Sequence, residues 1–302
     1  MGKLAFNKMI GVTFQGRLGN QLFQYAFAIS ASEKIGVNFF MDQSQQRGII
    51  YEYFNIENSA TSFLASKIFN ISGYKNIFNH YLRKAFATLL KLLFINKTQL
   101  FSLTQPVNTN DFENKKLYIG YFQSELFFVD YKEIIKSKFT IKDKFRDKFN
   151  TQFSNLYKEK IVVAVHIRKG DYVDQQHLNL GNADISLPLN YYHKVLKPYL
   201  TAEHLIIFLS DESSYLESEF SYISNKIIST GNVITDFQHL LNANICIIAN
   251  STFSWWAAYL NANKDKRIYA PQHFLGYNIN ETVPPYIYPE DWIIVPVDSI
   301  CL

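Results

Sequence analysis

Residues 161–172 read Ile-Val-Val-Ala-Val-His-Ile-Arg-Lys-Gly-Asp-Tyr. A run of apolar, mostly β-branched residues stops at a charged tip made of His166, Arg168, Lys169 and Asp171, with Gly170 supplying the turn. Unbroken apolar strands belong to sheets buried on both faces, and such sheets present their chemistry at the carboxyl edge. Alternate residues of a strand share a face, so His166 and Arg168 are expected to point the same way. A guanidinium held there suits a diphosphate, because its planar fork matches phosphate oxygens. An ordinary strand end with a solvated charge cluster fits this stretch equally well, so the rest of the chain has to decide.

Outward from this strand, the second half of the chain alternates. Strands are expected at 161–167, 205–209, 226–229, 245–249 and 267–270, with helices at 189–200, 237–242 and 253–260 and a helical pattern running through Phe220. Repeated β-then-α units imply a parallel sheet covered on both faces. Four strands end in polar groups: Arg168, Asp211, Asp236 just downstream of the third, and Ser251. Parallel strands share one carboxyl edge, so these groups converge there. Ser251 and Thr252 open a helix, which reads either as N-capping or, paired with Arg168, as a phosphate cradle. Asp236 reads as a helix cap or as an acceptor for the N–H edge of guanine. Asp211 would orient Arg168 or contact a ribose. Trp255 and Trp256 leave a helix in different directions, so at least one belongs to the core.

The first half opens with a strand at 9–14, a glycine loop at 15–21, an apolar helix ending near Gly36 and a second strand at 37–41. Orphan N–H groups at the start of that helix can receive a ligand. Gly16 and Gly19 are spaced G-x-x-G, not as the dinucleotide fingerprint G-x-G-x-x-G. Strand–turn–helix packing accounts for both glycines but does not call for Asn20 and Gln21. Residues 43–115 carry few signals. Within them, Phe78, Leu82, Phe86, Leu89, Leu90, Leu93 and Phe94 lie near helical spacing beside Arg83, Lys84 and Lys91, a stripe that reads as a core face or as a membrane-surface helix. Another strand is expected at 116–121, with Gln123 at its end. The region 134–156 is helical and charged with both signs, as a solvated connector would be. The boundary is placed there, giving domains 1–155 and 156–302. The proline- and aromatic-rich tail from about 271 is expected to wrap over one or both of them.

Composition narrows the function classes. A chain of 302 residues accommodates two domains. A net charge of +4 is too mild for a nucleic-acid binder and suits a polyanionic small ligand. Two cysteines, Cys246 and Cys301, make neither a disulfide framework nor a zinc pattern. The first residues lack the apolar segment of a signal peptide, and no run approaches the roughly 18 apolar residues that span a bilayer. A cytoplasmic location is therefore expected, with peripheral contact at the inner membrane left open by the 78–97 stripe. No Asp-x-Asp occurs, so the usual carboxylate pair for a divalent cation is missing, and no metal site is expected. A departing diphosphate would be balanced by Arg168, Lys169 and helix N-termini instead.

Three stretches carry a resemblance: His-Ile-Arg-Lys-Gly-Asp-Tyr at 166–172, Gly-Arg-Leu-Gly-Asn-Gln-Leu-Phe-Gln-Tyr-Ala at 16–26, and Asn-Ser-Thr-Phe-Ser-Trp-Trp-Ala-Ala-Tyr-Leu at 250–260. They resemble the signatures of the family 11 glycosyltransferases, mainly bacterial and animal α-1,2-fucosyltransferases. The resemblance implies a GT-B fold, with two Rossmann-like α/β domains facing across a cleft. It also implies a metal-independent, inverting transfer of L-fucose from GDP-L-fucose to the 2-hydroxyl of a terminal β-galactoside, such as lactose or an O-antigen unit. Carried over, Arg168 would bind the β-phosphate, while His166 and Asp171 shape its loop. Asp236 would read guanine, and Ser251 and Thr252 would hold phosphate. Gly19, Lys169, Asp211 and Asn250 complete the donor-contacting set. Asn20 matches an asparagine that related O-fucosyltransferases place beside the reacting centre. The family commonly has Arg-Arg where this chain has Arg168-Lys169, and Ser-Asp-Asp where it has Ser210-Asp211-Glu212. Lysine keeps the charge but loses the bidentate fork.

Two rival readings follow from the same residues. One is a non-catalytic sugar-nucleotide-binding protein, supported by the altered Lys169 and Glu212. The other is an O-fucosyltransferase acting on a protein acceptor, which shares the arginine loop. No carboxylate nominates itself as the general base. Acceptor selectivity is expected from 43–115 and from the loop 173–186, because binding residues concentrate on loops.

Overall fold

Two parallel sheets organise the chain. The computed structural model describes residues 9–56, 98–104 and 112–298, together with the isolated positions 81, 85, 88, 89 and 92. The chain divides into two units, Met1–Ile141 and Lys142–Leu302.

In the first unit, β1 (Met9–Thr13), β2 (Asn38–Asp42), β3 (Thr98–Leu100) and β4 (Leu117–Ile119) form a sheet in the order β2-β1-β4-β3. Every pairing in it is parallel. The helix Leu18–Ile35 crosses from β1 to β2 and is buried on nearly all sides through its first four turns. It stops where the apolar pattern stops, at Gly36, whose φ of 63° is the left-handed cap that favours glycine. Phe27 on this helix stacks on Phe122 at 3.8 Å and meets Phe101, Phe112, Tyr118 and Phe127 edge-on. The high aromatic content thus fills this core. The 78–97 stripe lies outside the described residues apart from Leu89 and neighbouring single positions.

In the second unit, β5 (Ile161–Ile167), β6 (His204–Ser210), β7 (Lys226–Ile228), β8 (Ile245–Ile247), β9 (Arg267–Pro271) and β10 (Ile293–Val295) form a sheet in the order β10-β9-β8-β5-β6-β7. All its pairings are parallel, so every carboxyl end lies on one edge. β5 sits between β6 and β8 and is buried along Val162–Ile167, as an unbroken apolar run in a doubly covered sheet should be. Trp255 and Trp256 are both fully buried, and Trp255 donates its indole N–H to the Ile287 carbonyl at 2.8 Å.

Several expectations need revision. The boundary expected at 155/156 falls inside the helix Asp143–Glu159, which lies wholly in the second unit. This helix is solvated over most of its surface, but it belongs to the second unit and is more than a connector. Phe149, Phe153 and Tyr157, four residues apart on one face, pack around His239 of the helix Val233–Asn242, with ring centroids 5.0, 4.5 and 6.2 Å away. That second helix starts at Val233, with Asn232 as its cap accepting the Thr235 N–H at 3.1 Å, so Asp236 lies in its first turn and does not open it. The pattern through Phe220 yields only the short helix Leu216–Glu219. Within the tail, β10 pairs with β9 and extends the second sheet. Among the described residues no helix is long and apolar enough to cross a membrane.

Candidate active site

The carboxyl end of β5 turns at Lys169–Asp171, and the turn is built around one carboxylate. Asp211, at the end of the neighbouring β6, takes Arg168 Nη1 at 2.8 Å and the Lys169 backbone N–H at 3.0 Å. A Cβ on Gly170 would lie 2.5 Å from the Asp211 Oδ2, so this position is glycine because the carboxylate occupies the space. Asp171 takes Arg168 Nη2 from the other side. The Tyr172 ring lies 5.3 Å from the guanidinium carbon. Arg168, with its side chain 13% exposed, is therefore held by two carboxylates and an aromatic face. Such a clamp orients the planar fork before any ligand arrives. Lys169 is held more loosely, its Nζ 4.6 Å from the Tyr215 ring centroid.

His166 is buried, and burial first, then the neighbouring Arg168 charge, push its pKa down to about 3. It is neutral at ordinary pH, as the last inward-facing residue of a dry strand should be. Its ring lies 5.4 Å from that of Phe253, which lies 5.4 Å from Phe237. Phe253 thus joins the β5 tip to the first turns of the helices Thr252–Leu260 and Val233–Asn242.

Ser251 is buried and precedes the helix Thr252–Leu260, but its side chain makes no capping hydrogen bond. The bland role of a helix-opening serine is therefore not the one it fills. Asn250 is fully buried. Its Nδ2 donates to the Ile185 carbonyl at 2.7 Å, and its own carbonyl accepts the Tyr172 hydroxyl at 3.1 Å. It ties the loop after β8 to the arginine loop and to the 173–186 segment. That segment is pinned again by Tyr277, whose hydroxyl donates to the Ser186 carbonyl at 2.7 Å. At the edge strand, Ser229 donates its hydroxyl to Asp236 Oδ1 at 2.5 Å, and burial raises the Asp236 pKa to about 6. The structure thus brings Arg168, Lys169, Asp171 and Asp211 into direct contact. It places His166 near the end of β5, Asn250 and Ser251 in the loop after β8, and Thr252 and Asp236 in the first turns of the helices that follow β8 and β7. Asp211 takes the Arg168-orienting role of the two expected for it.

Gly19 and Asn20 belong to the first unit, in the first turn of the helix Leu18–Ile35. Asn20 Oδ1 accepts from Gln123 Nε2 at 2.9 Å. Gln21 turns out to be a strut: its Nε2 donates to the Arg47 carbonyl at 2.8 Å, and its Oε1 accepts from the Ile49 N–H at 2.7 Å. Sequence reasoning attached no role to Tyr172, Phe253 or Gln123. The first two lie inside motifs whose polar residues drew the attention. Gln123 has no local signal, since its partner is 103 residues away. Among the described residues, no group of three His, Cys, Asp or Glu side chains is placed to hold a metal ion.

The O-antigen biosynthesis glycosyltransferase WbnK of Escherichia coli is 27% identical over 289 residues, covering 87% of this chain and 94% of the relative. An alpha-1,2-colitosyltransferase of Escherichia coli is 28% identical over 295 residues, covering 92% of this chain and 96% of the relative. Among solved structures, the fucosyltransferase NodZ from Bradyrhizobium superposes with a TM-score of 0.52 at 12% identity, over 83% of this chain and 91% of that one. The two-unit parallel α/β architecture is of the GT-B type shared with such glycosyltransferases. The family model for glycosyl transferase family 11 matches residues 9–276. That span takes in both the arginine-tipped strand and the glycine loop, and the chain belongs to glycosyl transferase family 11.

Proposed function

We propose that the protein transfers L-fucose from GDP-L-fucose to the 2-hydroxyl of a terminal β-galactoside, with inversion and without a metal ion. The observation that carries this reading is Arg168, fixed by Asp171 and Asp211 at the carboxyl end of the central strand. The reaction is one in-line displacement. The bond from the anomeric carbon to the β-phosphate oxygen breaks, its electron pair leaves with GDP, and the acceptor oxygen bonds to the opposite face, its proton passing to solvent water. The transition state is oxocarbenium-like, as in glycoside hydrolysis. Its main electrostatic demand is the charge growing on the leaving diphosphate, which preorganised donors meet without reorganisation.

Arg168 supplies the fork, and Lys169 a second, less directed positive charge. Ser251 and Thr252 supply a hydroxyl pair and the N–H groups of the helix Thr252–Leu260. With Ser229 on one carboxylate oxygen, Asp236 has the other for the N–H edge of guanine. Neutral His166 adds no charge, and Asp171 and Asp211 offset Arg168 and Lys169. Donor affinity in this account comes from aimed hydrogen bonds more than from net charge. In this reading Asn20 acts on the acceptor at the reacting centre. The acceptor in this reading is a galactoside-terminated oligosaccharide of an O-antigen unit, handled in the cytoplasm or at the inner membrane surface.

A second donor follows from the relative named for colitose, which is L-fucose without its 3-hydroxyl. The test is an assay of GDP release with GDP-fucose and with GDP-colitose, over lactose, N-acetyllactosamine and the type 1 disaccharide, with the product linkage read by NMR. An α-1,2-fucosylated galactoside is the expected product. Turnover of GDP-colitose alone would replace the donor, and no transfer to any galactoside would replace the acceptor.

A further inference from the structure

Gln123 is a buried side chain, 7% exposed, whose placement costs the backbone something. The preceding Phe122 has a φ of 51°, in the left-handed region that bulky side chains avoid. Such strain persists where surrounding packing over-determines it, and it gathers at functional positions. Here the packing is the aromatic core: Phe122 is stacked on Phe27 at 3.8 Å and flanked by Phe101 at 5.2 Å and Phe127 at 5.7 Å. The Ser124 N–H returns to the Phe122 carbonyl at 2.9 Å, closing a three-residue turn with Gln123 at its apex. The product of this arrangement is one long-range hydrogen bond, Gln123 Nε2 to Asn20 Oδ1 at 2.9 Å. The Gln123 Oε1 is buried with no hydrogen-bond partner among the described residues, so the side chain is not there to satisfy itself. On the far side of Asn20, Gly16 has a φ of 70°, and a Cβ there would overlap Asn20 Nδ2. The Asn20 carboxamide is wedged, with its oxygen toward Gln123 and its nitrogen against Gly16.

We propose that Gln123 is a positioning residue that fixes the Asn20 carboxamide, so that Asn20 acts in the reaction as an N–H donor. This rests on the reading that Asn20 stands at the reacting centre. A carboxamide nitrogen cannot take the acceptor's proton, but its N–H stabilises an oxygen on which negative charge develops. The left-handed Phe122 backbone immediately precedes the turn that carries Gln123 to Asn20.

The experiment is a cycle on the full chain with Asn20→Ala, Gln123→Met and the double variant, reading kcat and donor KM from GDP release, and Tm by melting. Methionine keeps the length and apolar stem of glutamine and removes the donor. The expected result is a kcat loss of about 10-fold or more for Gln123→Met, with donor KM within about twofold and the double variant no slower than Asn20→Ala. Gln123→Glu covers a poorly folding methionine variant. A carboxylate at this place cannot donate to Asn20 Oδ1 and draws Nδ2 toward itself, so kcat falls although a hydrogen bond survives. Wild-type kcat in Gln123→Met or Gln123→Glu overturns the proposal, as does a Gln123→Met loss expressed in full on the Asn20→Ala background. Wild-type turnover of Asn20→Ala removes Asn20 from the reacting centre and the proposal with it, while the Arg168 reading stands on its own separate test.

Discussion

Asp236 shows how much one side chain's surroundings decide. Burial raises its pKa to about 6, against the single opposing hydrogen bond from Ser229. In the proposed role of reading the base it must be ionised, because a protonated carboxyl has lost part of its acceptor capacity. Donor KM is therefore expected to be flat above pH 7 and to rise as the pH falls through about 6. Asp236→Asn should raise KM at pH 8 and abolish that rise, which a pH series of initial rates checks. A KM rise retained in the variant would assign it to another group. His166 cannot be that group, since its pKa of about 3 keeps it neutral throughout the range. At this scale the residue types of the arginine loop were legible in the sequence, but their division of labour was not. Asp211 read either as an orienter of Arg168 or as a ribose contact, and Asp171 as a residue shaping the loop, while the fold sets both carboxylates on the one guanidinium. Spacing says which edge a residue reaches, not which neighbour it finds there.

Elements were legible where they were long or punctuated. The helix Leu18–Ile35 could be drawn from its apolar run and Gly36, and β5 from its β-branched run. β3 lies in the stretch 43–115, which carries few signals, and β10 in the proline-rich tail, so neither was marked off by flanking helices as β7 and β8 were. The instructive error is the helix Asp143–Glu159. Its charges dominate by number, but its period-four aromatics decide where it packs. Phe149 is its one fully covered side chain, seated against His239. Phe149→Ala should destabilise the second unit by about 3 kcal/mol, in the range for emptying a buried phenylalanine site. Urea unfolding followed by tryptophan fluorescence reports that unit directly, because Trp255, Trp256 and Trp292 all lie within it. A change below about 0.5 kcal/mol, the size of an ordinary surface substitution, would return the helix to the role of a solvated connector.

Over the whole molecule, buried titratable groups set the response to acid. His166 and His239 have folded pKa values lowered to about 3 and about 4 by burial, so between these values and 6.5 the unfolded chain binds more protons. Their contribution is full above pH 6.5 and is lost as the pH falls. Asp236 works the other way between 3.8 and about 6, because the folded state there holds the extra proton. Two groups against one leave a net loss of stability as the pH falls from 6 towards 4. His239→Phe keeps the aromatic contacts with Phe149 and Phe153 and leaves the Tyr157 hydroxyl its bond to the residue 239 carbonyl at 3.2 Å. The stability difference between pH 7.5 and pH 5.5, read from urea midpoints, should shrink in that variant. An unchanged difference would remove His239 from the account.

The architecture was legible at this scale because β-then-α alternation leaves few alternatives for a parallel sheet. The site was legible only as a set of strand ends. Gln123 and Phe253 work through contacts that no spacing announces. The central claim is that Arg168 takes the place of a metal ion in carrying the leaving diphosphate. Its most direct test is GDP release from GDP-fucose over lactose in excess EDTA, for the wild-type chain, Arg168→Ala and Arg168→Lys. Wild-type turnover should be unaffected by EDTA. Arg168→Ala should lose about 10²–10³-fold in kcat, the scale of removing a preorganised transition-state donor, and Arg168→Lys should recover only part of it. Near-wild-type turnover of Arg168→Ala, or wild-type activity abolished by EDTA, would contradict the account.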